Sequence, residues 1–207
     1  MSSSREDLPR WRQRREPTEQ DRIILQRNAR IPKRYLLADL LEDSPEIGFE
    51  QESSYYLYGP SGVGKTHILC AMVRERALSR FDRRDCLFVS VDDLLSELKS
   101  RYNNTGRAFI KSGDGYEEES RADAYTTQLK EVEILALDDL GAEKATEWVI
   151  GELYSIINHR YNELKITYIS SNLDLQQLSD MGYQRIASRI GHMCEVIEIS
   201  GKNRRAR

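Results

Sequence analysis

Cysteine, proline and long apolar runs are scarce in this 207-residue chain, and each shortage closes off a class of protein. Its three cysteines, Cys70, Cys86 and Cys194, are widely spaced and form no C-x-x-C pair. Neither a disulfide framework nor a zinc site is expected, and all three read as small buried hydrophobes. His67, His159 and His192 stand apart, without metal-ligand spacing. No apolar run approaches the length of a membrane span, and the opening MSSSREDLPRWRQRREP has no apolar signal core. Arg14 and Arg15 are followed by polar residues, unlike a twin-arginine export signal. The expectation is a cytoplasmic protein with no membrane partner. The length suits one domain with a sizeable core and at most a small appendage.

What is present is charge, unevenly spread. The net charge of -3 conceals ten Lys/Arg against five acids in residues 1–34 and four more Lys/Arg in the closing GKNRRAR, leaving -12 for the body between. Basic ends on an acidic body suit an anionic partner, most simply nucleic acid, although solvated termini also carry such runs. Residues 1–34 read as a basic polar segment, largely disordered, with at most one weak helix around Asp21 to Asn28. It is a candidate partner contact, and the exposed Trp11 among its arginines is a candidate anchor. Residues 35–207 read as the folded domain.

From Tyr35 onward, strand-like and helix-like stretches alternate, as in βαβ units with a parallel sheet. YYLY (55–58), CLFVSV (86–91), VEILAL (132–137), ITYIS (166–170) and EVIEI (195–199) read as strands. Residues 66–78, 92–102, 147–161 and 183–193 space their apolar side chains helically. The near-continuous apolar run of VEILAL fits a strand covered on both faces.

One stretch carries unmistakable chemistry. Gly59-Pro60-Ser61-Gly62-Val63-Gly64-Lys65-Thr66 matches G-x-x-x-x-G-K-[ST], with a strand before it and a helix after it, the context that distinguishes a P-loop from a chance glycine-rich turn. Glycines let the backbone curl so that its N–H groups face phosphate oxygens, and the following helix, with His67 in its first turn, adds a favourable dipole. Lys65 is expected to reach the β and γ phosphates of a nucleoside triphosphate and Thr66 to ligate Mg²⁺. A P-loop enzyme also needs an acid at the end of a neighbouring strand and a group that orients water. In VEILALDDLG, Asp138 is the candidate for the metal and Asp139 for the attacking water. A turn cap is the plainer reading of that pair.

The runs LALDDLGAEKATEW (135–148), LYSIINHRY (153–161), YISSNL (168–173) and QRIASRIGHMCEVIEISGKNRR (184–205), in that order, resemble the AAA+ ATPases of the DnaC/DnaI helicase-loader and IstB transposition-helper group. IPKRYLLADL (31–40) resembles the segment that enters their first strand. The resemblance covers roughly residues 31 to 205, and the replication initiator DnaA is a more distant relative. It implies a P-loop AAA+ fold, α/β, with a five-stranded, mainly parallel sheet flanked by helices. No helical lid domain is expected, because the chain ends just after Arg204 and loaders of the group also lack one. By position, Asn172 matches the residue that senses the γ-phosphate or the lytic water. Arg189 matches the arginine finger offered to a neighbouring subunit, with Arg185 one turn earlier as the alternative, and Arg204 matches a second nucleotide sensor. A polar turn residue, ion-paired helix arginines and a loose tail are the plainer readings.

Residues 99–113, KSRYNNTGRAFIKSG, carry Lys99, Arg101, Arg107 and Lys111 without an acid, interleaved with Tyr102 and Phe109. Basic groups can track a phosphate backbone while aromatic faces stack bases, which suits single-stranded DNA; a helix with a core Tyr102 and solvated cations is the plainer reading. The resemblance implies that an inserted helix here lines the DNA channel of an assembled spiral.

Together these features lead to an ATPase that binds ATP and Mg²⁺, forms a homo-oligomer, holds single-stranded DNA and delivers or opens a replicative hexameric helicase. An IstB-like helper acting with a transposase is the alternative. The two differ mainly in the N-terminal contact, and residues 1–30 are shorter than the group's usual partner-gripping domain: either the chain is truncated or a short arginine-rich segment makes that contact. A P-loop kinase would need an acceptor pocket and an arginine-bearing lid. No lid-like insertion is evident, and Asp138, Asp139 and Asn172 suit attack by water. A module that binds ATP with negligible turnover is a third possibility.

Overall fold

The computed structural model describes residues 18–38, 40, 49–50, 52–78, 85–103, 107–112 and 115–201, with 107–112 and 115–119 described by backbone alone. Strands β1 (Ser54–Tyr58) and β2 (Cys86–Ser90) flank helix α2 (Lys65–Ala77), and β2 runs directly into α3 (Val91–Asn103). A hairpin of β3 (Arg107–Ser112) and β4 (Gly115–Ser120) leads into α4 (Arg121–Glu131), β5 (Ile134–Leu140), α5 (Glu147–Asn162) and β6 (Ile166–Ser171). The chain closes with α6 (Leu175–Leu178), a π-turn over Ser179–Tyr183, α7 (Gln184–Met193) and β7 (Cys194–Glu198).

Five of the strands form a parallel sheet in the order β2-β5-β6-β1-β7. Successive side chains leave a strand on opposite faces, and here both faces are covered. Tyr55, Leu57, Ile134, Ala136 and Tyr168 join the core under α2, whereas Tyr56, Leu135, Leu137 and Ile169 join the core under α3, α4, α5 and α7. The helices present matching stripes: Leu94, Leu95 and Leu98 from α3, and Leu153, Ile156 and Ile157 from α5, are fully or almost fully buried. Side-chain caps start α4 and α5, where Ser120 accepts from the Asp123 N–H and Thr146 from the Val149 N–H.

Two expectations are corrected. Packing does not begin at residue 35. A capping box of Thr18 and Asp21 opens α1 (Glu19–Ile23), which continues as a π-turn over Ile24–Asn28, and Leu25, Ala29 and Ile31 are buried against α2. The Phe88 N–H of β2 donates to the Ala29 carbonyl at 2.8 Å, so this segment covers one edge of the sheet. The three apolar positions are hidden in the sequence by the arginines around them. Residues 1–17, including Trp11, lie outside the described residues. The second correction concerns residues 107–120, which form a β-hairpin after α3; the further helix between β2 and β5 is α4, which begins only beyond that hairpin. Its register sets Arg107, Phe109 and Lys111 opposite Ser120, Glu118 and Tyr116.

Arg160, on α5, is wholly buried. Its guanidinium donates to the carbonyls of Leu129, Lys130, Val132, Glu133 and Ile166 and to Thr167 Oγ1, at 2.6 to 3.3 Å. These acceptors include the last carbonyls of α4, whose partial negative charge favours a cation. Burial pulls the Arg160 pKa down to about 9, so the group is charged at neutral pH.

Buried phenols give the fold a pH dependence. Desolvation pushes Tyr56 up to about 12, and it also raises Tyr125, Tyr168 and Tyr183. A phenol titrates near 10 when unfolded, so the native state holds more protons above that pH. The stability these groups contribute is complete below about pH 10 and is lost as pH rises toward about 12. Arg160 acts in the opposite direction but is one group against four. The melting temperature should therefore fall steeply between about pH 10 and pH 11; an unchanged value would exclude burial of the neutral phenols.

Candidate functional site

Ligands of open α/β sheets bind beyond the carboxyl ends of the strands. The strand order sets β6 between β1 and β5, so the segments following these three neighbours converge. They close a cleft of about 150 Å³ lined by Arg34, Tyr35, Ser61, Gly62, Gly64, Lys65, Thr66, His67, Asp139 and Asn172. A larger cleft of about 480 Å³ lies at the opposite end of the strands, beside Ser54, Leu164, Lys165 and Cys194. It gathers none of the expected residues, so size alone does not pick out the site.

The loop after β1 curls because Gly59, Gly62 and Gly64 have φ of 147°, 88° and 112°. Gly59 is required twice over: a Cβ there would lie 2.1 Å from the Ile199 carbonyl oxygen just beyond β7. Gly64 is the N-cap of α2 and supplies no capping side chain, which leaves the first N–H groups of that helix to face the cleft. Val63 is buried in the core and anchors the loop from behind. Lys65 is almost fully buried, and its Nζ donates to Gly59 O at 2.8 Å, Pro60 O at 2.9 Å and Asn172 Oδ1 at 2.8 Å. The lysine thus ties the phosphate loop to the end of β6.

Asp138 and Asp139 occupy a bulge in β5, between the register pairs Leu137↔Ile169 and Leu140↔Ser171. Asp139 sits at φ 59°, a conformation that aspartate tolerates better than most residues. One hydroxyl organises both acids: Ser170 Oγ donates to Asp138 Oδ1 at 2.5 Å and accepts from the Asp139 N–H at 3.0 Å. The Asp138 pKa is raised, chiefly by desolvation; the Ser170 bond pulls it down, Asp139 pushes it up, and a Thr66 bond and Lys65 pull it down. A buried carboxylate with this bias gains from a cation. Beside the Thr66 hydroxyl it offers hard oxygen donors, which fit Mg²⁺.

Of the expected residues, Ser61, Gly62, Gly64, Lys65, Thr66, His67, Asp139 and Asn172 line one cleft, with Gly59, Pro60, Val63 and Asp138 immediately behind. Arg34, Tyr35 and Ser170 were not singled out. Arg34 lies over the Tyr35 ring at 5.1 Å, and that ring meets His67 edge-on at 5.9 Å. IPKRY carries no periodic signal that would place it at a site, whereas the serines flanking Asn172 in YISSNL could have drawn attention.

Arg185 and Arg189 lie elsewhere, along the seam between α5 and α7. Arg189 Nε donates to Asn158 Oδ1 at 3.0 Å and its Cζ lies 4.9 Å from the Tyr161 ring centre; Arg185 Nη2 donates to the Tyr154 hydroxyl at 2.7 Å. Lys99, Arg101 and Tyr102 do not share one open face, because two residues turn a helix by about 200°, which sets Arg101 roughly opposite Lys99. Lys99 Nζ stands 5.3 Å from the Trp148 ring centre, and Tyr102 donates to Glu152 Oε1 at 3.0 Å. Arg101 pairs with Glu97 at 2.7 Å and rests on Tyr125. The side chains of Arg107, Phe109 and Lys111, and all of Arg204, lie outside the description.

Comparison with known proteins agrees with this geometry. Residues 47–207 match the family model of the IstB-like ATP binding protein. The uncharacterized protein YqaM of Bacillus subtilis is 29% identical over 158 residues, 74% of this chain and 44% of that one. The replicative helicase loader DnaI of the same organism is 27% identical over 182 residues, 82% of this chain and 52% of that one. The chain therefore spans about half the length of the curated relatives it matches. The crystal structure of the DnaC helicase loader shares the fold, with TM-score 0.62 at 23% identity over 82% of this chain and 100% of that one. A phosphate loop tied to the end of β6 beside Asn172, a paired-acid bulge and a match over most of the sequence lead to one conclusion: the chain, which shares its fold with the DnaC helicase loader, belongs to the IstB-like ATP binding family.

Proposed function

We propose that this chain is an ATP-hydrolysing helicase loader that assembles with copies of itself on single-stranded DNA and delivers or opens a replicative hexameric helicase. The observation that supports turnover is the meeting of Lys65, Asp139 and Asn172 in one cleft. Lys65 stabilises the β and γ phosphates, Asp139 polarises the attacking water and Asn172 orients it. Thr66 and Asp138 would hold Mg²⁺, which would neutralise charge developing on the phosphates. Arg189 is assigned as the finger by its match to the family's motif; it lies on the α5–α7 seam, away from its own chain's cleft, which is compatible with a site shared between subunits. A finger supplied in trans makes hydrolysis depend on assembly. Arg185 is the alternative donor.

Single-stranded DNA is assigned to the end of α3 and the β3–β4 hairpin, where Lys99, Arg101, Tyr102, Arg107, Phe109 and Lys111 cluster in sequence. Lys99 and Tyr102 would first have to leave Trp148 and Glu152. The helicase partner rests on similarity to DnaI. The family description supports the second reading, an IstB-like helper of a transposase.

One set of assays separates these readings. ATP hydrolysis is measured across protein concentrations, with and without single-stranded DNA, for wild type and Arg189→Ala. The variant should lose at least about a thousandfold at concentrations where the protein assembles, yet bind ATP normally. Wild-type turnover by Arg189→Ala would exclude it as the finger. Retention of a hexameric helicase, and not a transposase, on the immobilised chain would decide the partner.

A further inference from the structure

Between the paired acids and the arginine helix stands a polar link that the mechanism above does not use. Beyond Asp139 the chain turns at Gly141, whose φ is 86° and where a Cβ would lie 2.9 Å from Leu173 Cδ1, next to Asn172. The Gly141 N–H donates to Glu143 Oε2 at 3.0 Å, and Glu143 Oε1 accepts from the Tyr183 hydroxyl at 2.7 Å. One carboxylate therefore joins the turn that follows the paired acids to a residue outside that turn. Tyr183 is wholly buried, packed in the core under α5 and α7. It is the N-cap residue of α7, with Gly182 at φ 100° immediately before it. Arg185 and Arg189 follow on that helix.

The arrangement is specific in chemical terms. A buried phenol needs an acceptor, and a charged acceptor makes the bond stronger than a neutral one. Any displacement of the Asp139–Gly141 turn moves an oxygen bonded to the start of α7. Gly182 supplies backbone freedom beside that point. Ile186 and Ile190 seat α7 in the core, and Arg185 and Arg189 bond it to α5, so the Tyr183 hydroxyl is the polar contact that joins its start to the turn after the paired acids.

We propose that Glu143 and Tyr183 are positioning residues that couple the nucleotide state of a subunit to the placement of the arginine that the same subunit offers to its neighbour. The coupling runs from the Asp139 turn through the Glu143 carboxylate to the Tyr183 hydroxyl and into α7. It gives the assembly a direction, since each site reports to the neighbour that receives its arginine. The inference rests on the proposed trans arginine finger.

A mixed-subunit experiment tests it. Arg189→Ala subunits, with an intact site but no finger, are mixed with donor subunits carrying Asp139→Asn, which bind ATP but do not turn it over. Donors with an intact α7 should restore hydrolysis by the Arg189→Ala subunits. Donors that also carry Tyr183→Phe should restore it at least about fivefold less well, while their own ATP affinity and melting temperature stay those of the parent donor. Glu143→Ala in the donor should give the same deficit and serves if Tyr183→Phe does not fold. Equal rescue by either folded variant overturns the coupling. Failure of the unmodified donor to rescue overturns the trans-finger reading, and a fall in ATP affinity or melting temperature matching the loss of rescue makes the link merely structural.

Discussion

Lys65→Ala is expected to lower ATP hydrolysis by at least about a hundredfold and to weaken ATP binding as well. The side chain has two tasks in the proposed mechanism, and both end with its ammonium. Towards the nucleotide it supplies the positive charge that the transferring phosphoryl group requires. Towards the protein it holds Gly59 O, Pro60 O and Asn172 Oδ1 within 2.9 Å, so its loss releases the loop from the end of β6. The ammonium meets charge that the phosphates carry both in bound ATP and in the transition state, so its loss lowers affinity as well as turnover. Lys65→Ala should therefore change both quantities, measured by a fluorescent nucleotide and by phosphate release. Normal turnover in that variant would remove the P-loop from the chemistry altogether.

Arg160→Met is expected to cost about 3–5 kcal/mol of folding stability, read from the urea midpoint. Methionine approximates the volume of the aliphatic stem but leaves the carbonyls of Leu129, Lys130, Val132, Glu133 and Ile166 without this donor, inside the protein. Those carbonyls belong to three different elements: the end of α4, the approach to β5 and the start of β6. Arg160→Lys should recover only part of the loss, because an ammonium cannot reproduce the planar fork. A domain typically holds roughly 5–15 kcal/mol in total, so most of the margin is at stake. A midpoint within about 0.5 kcal/mol of wild type would mean that water satisfies the carbonyls equally well.

Arg160 also marks where sequence reading stops. In LYSIINHRY it looks like any helix arginine, and its burial follows only from the path of α4 and β5 across the same end of the sheet. Polar side chains have the same ambiguity at Lys99, Arg101 and Tyr102, whose partners Trp148, Glu97 and Glu152 are set by helix rotation and by α5 packing beside α3. Residues 18–31 were obscured for a related reason: arginines between Leu25, Ala29 and Ile31 lower the apparent hydrophobicity, although the buried positions alone decide the packing. The hairpin is not legible as two strands because RAFIKS and GYEEES lack the alternation of a half-buried strand.

What the sequence by itself determined is whatever depends on neighbours in the chain. The P-loop needs glycines at fixed spacing for positive φ, the five parallel strands need their short apolar runs, and the acids stand at a strand end. All of these are local requirements written in consecutive residues. Tertiary structure decided how the local pieces meet. The strand order β2-β5-β6-β1-β7 alone brings Ser170 to Asp138 and Asn172 to Lys65, because β6 lies between the two strands that carry the loop and the acids. Pairing between strands far apart in sequence follows from packing on both faces of the sheet, which no single segment encodes.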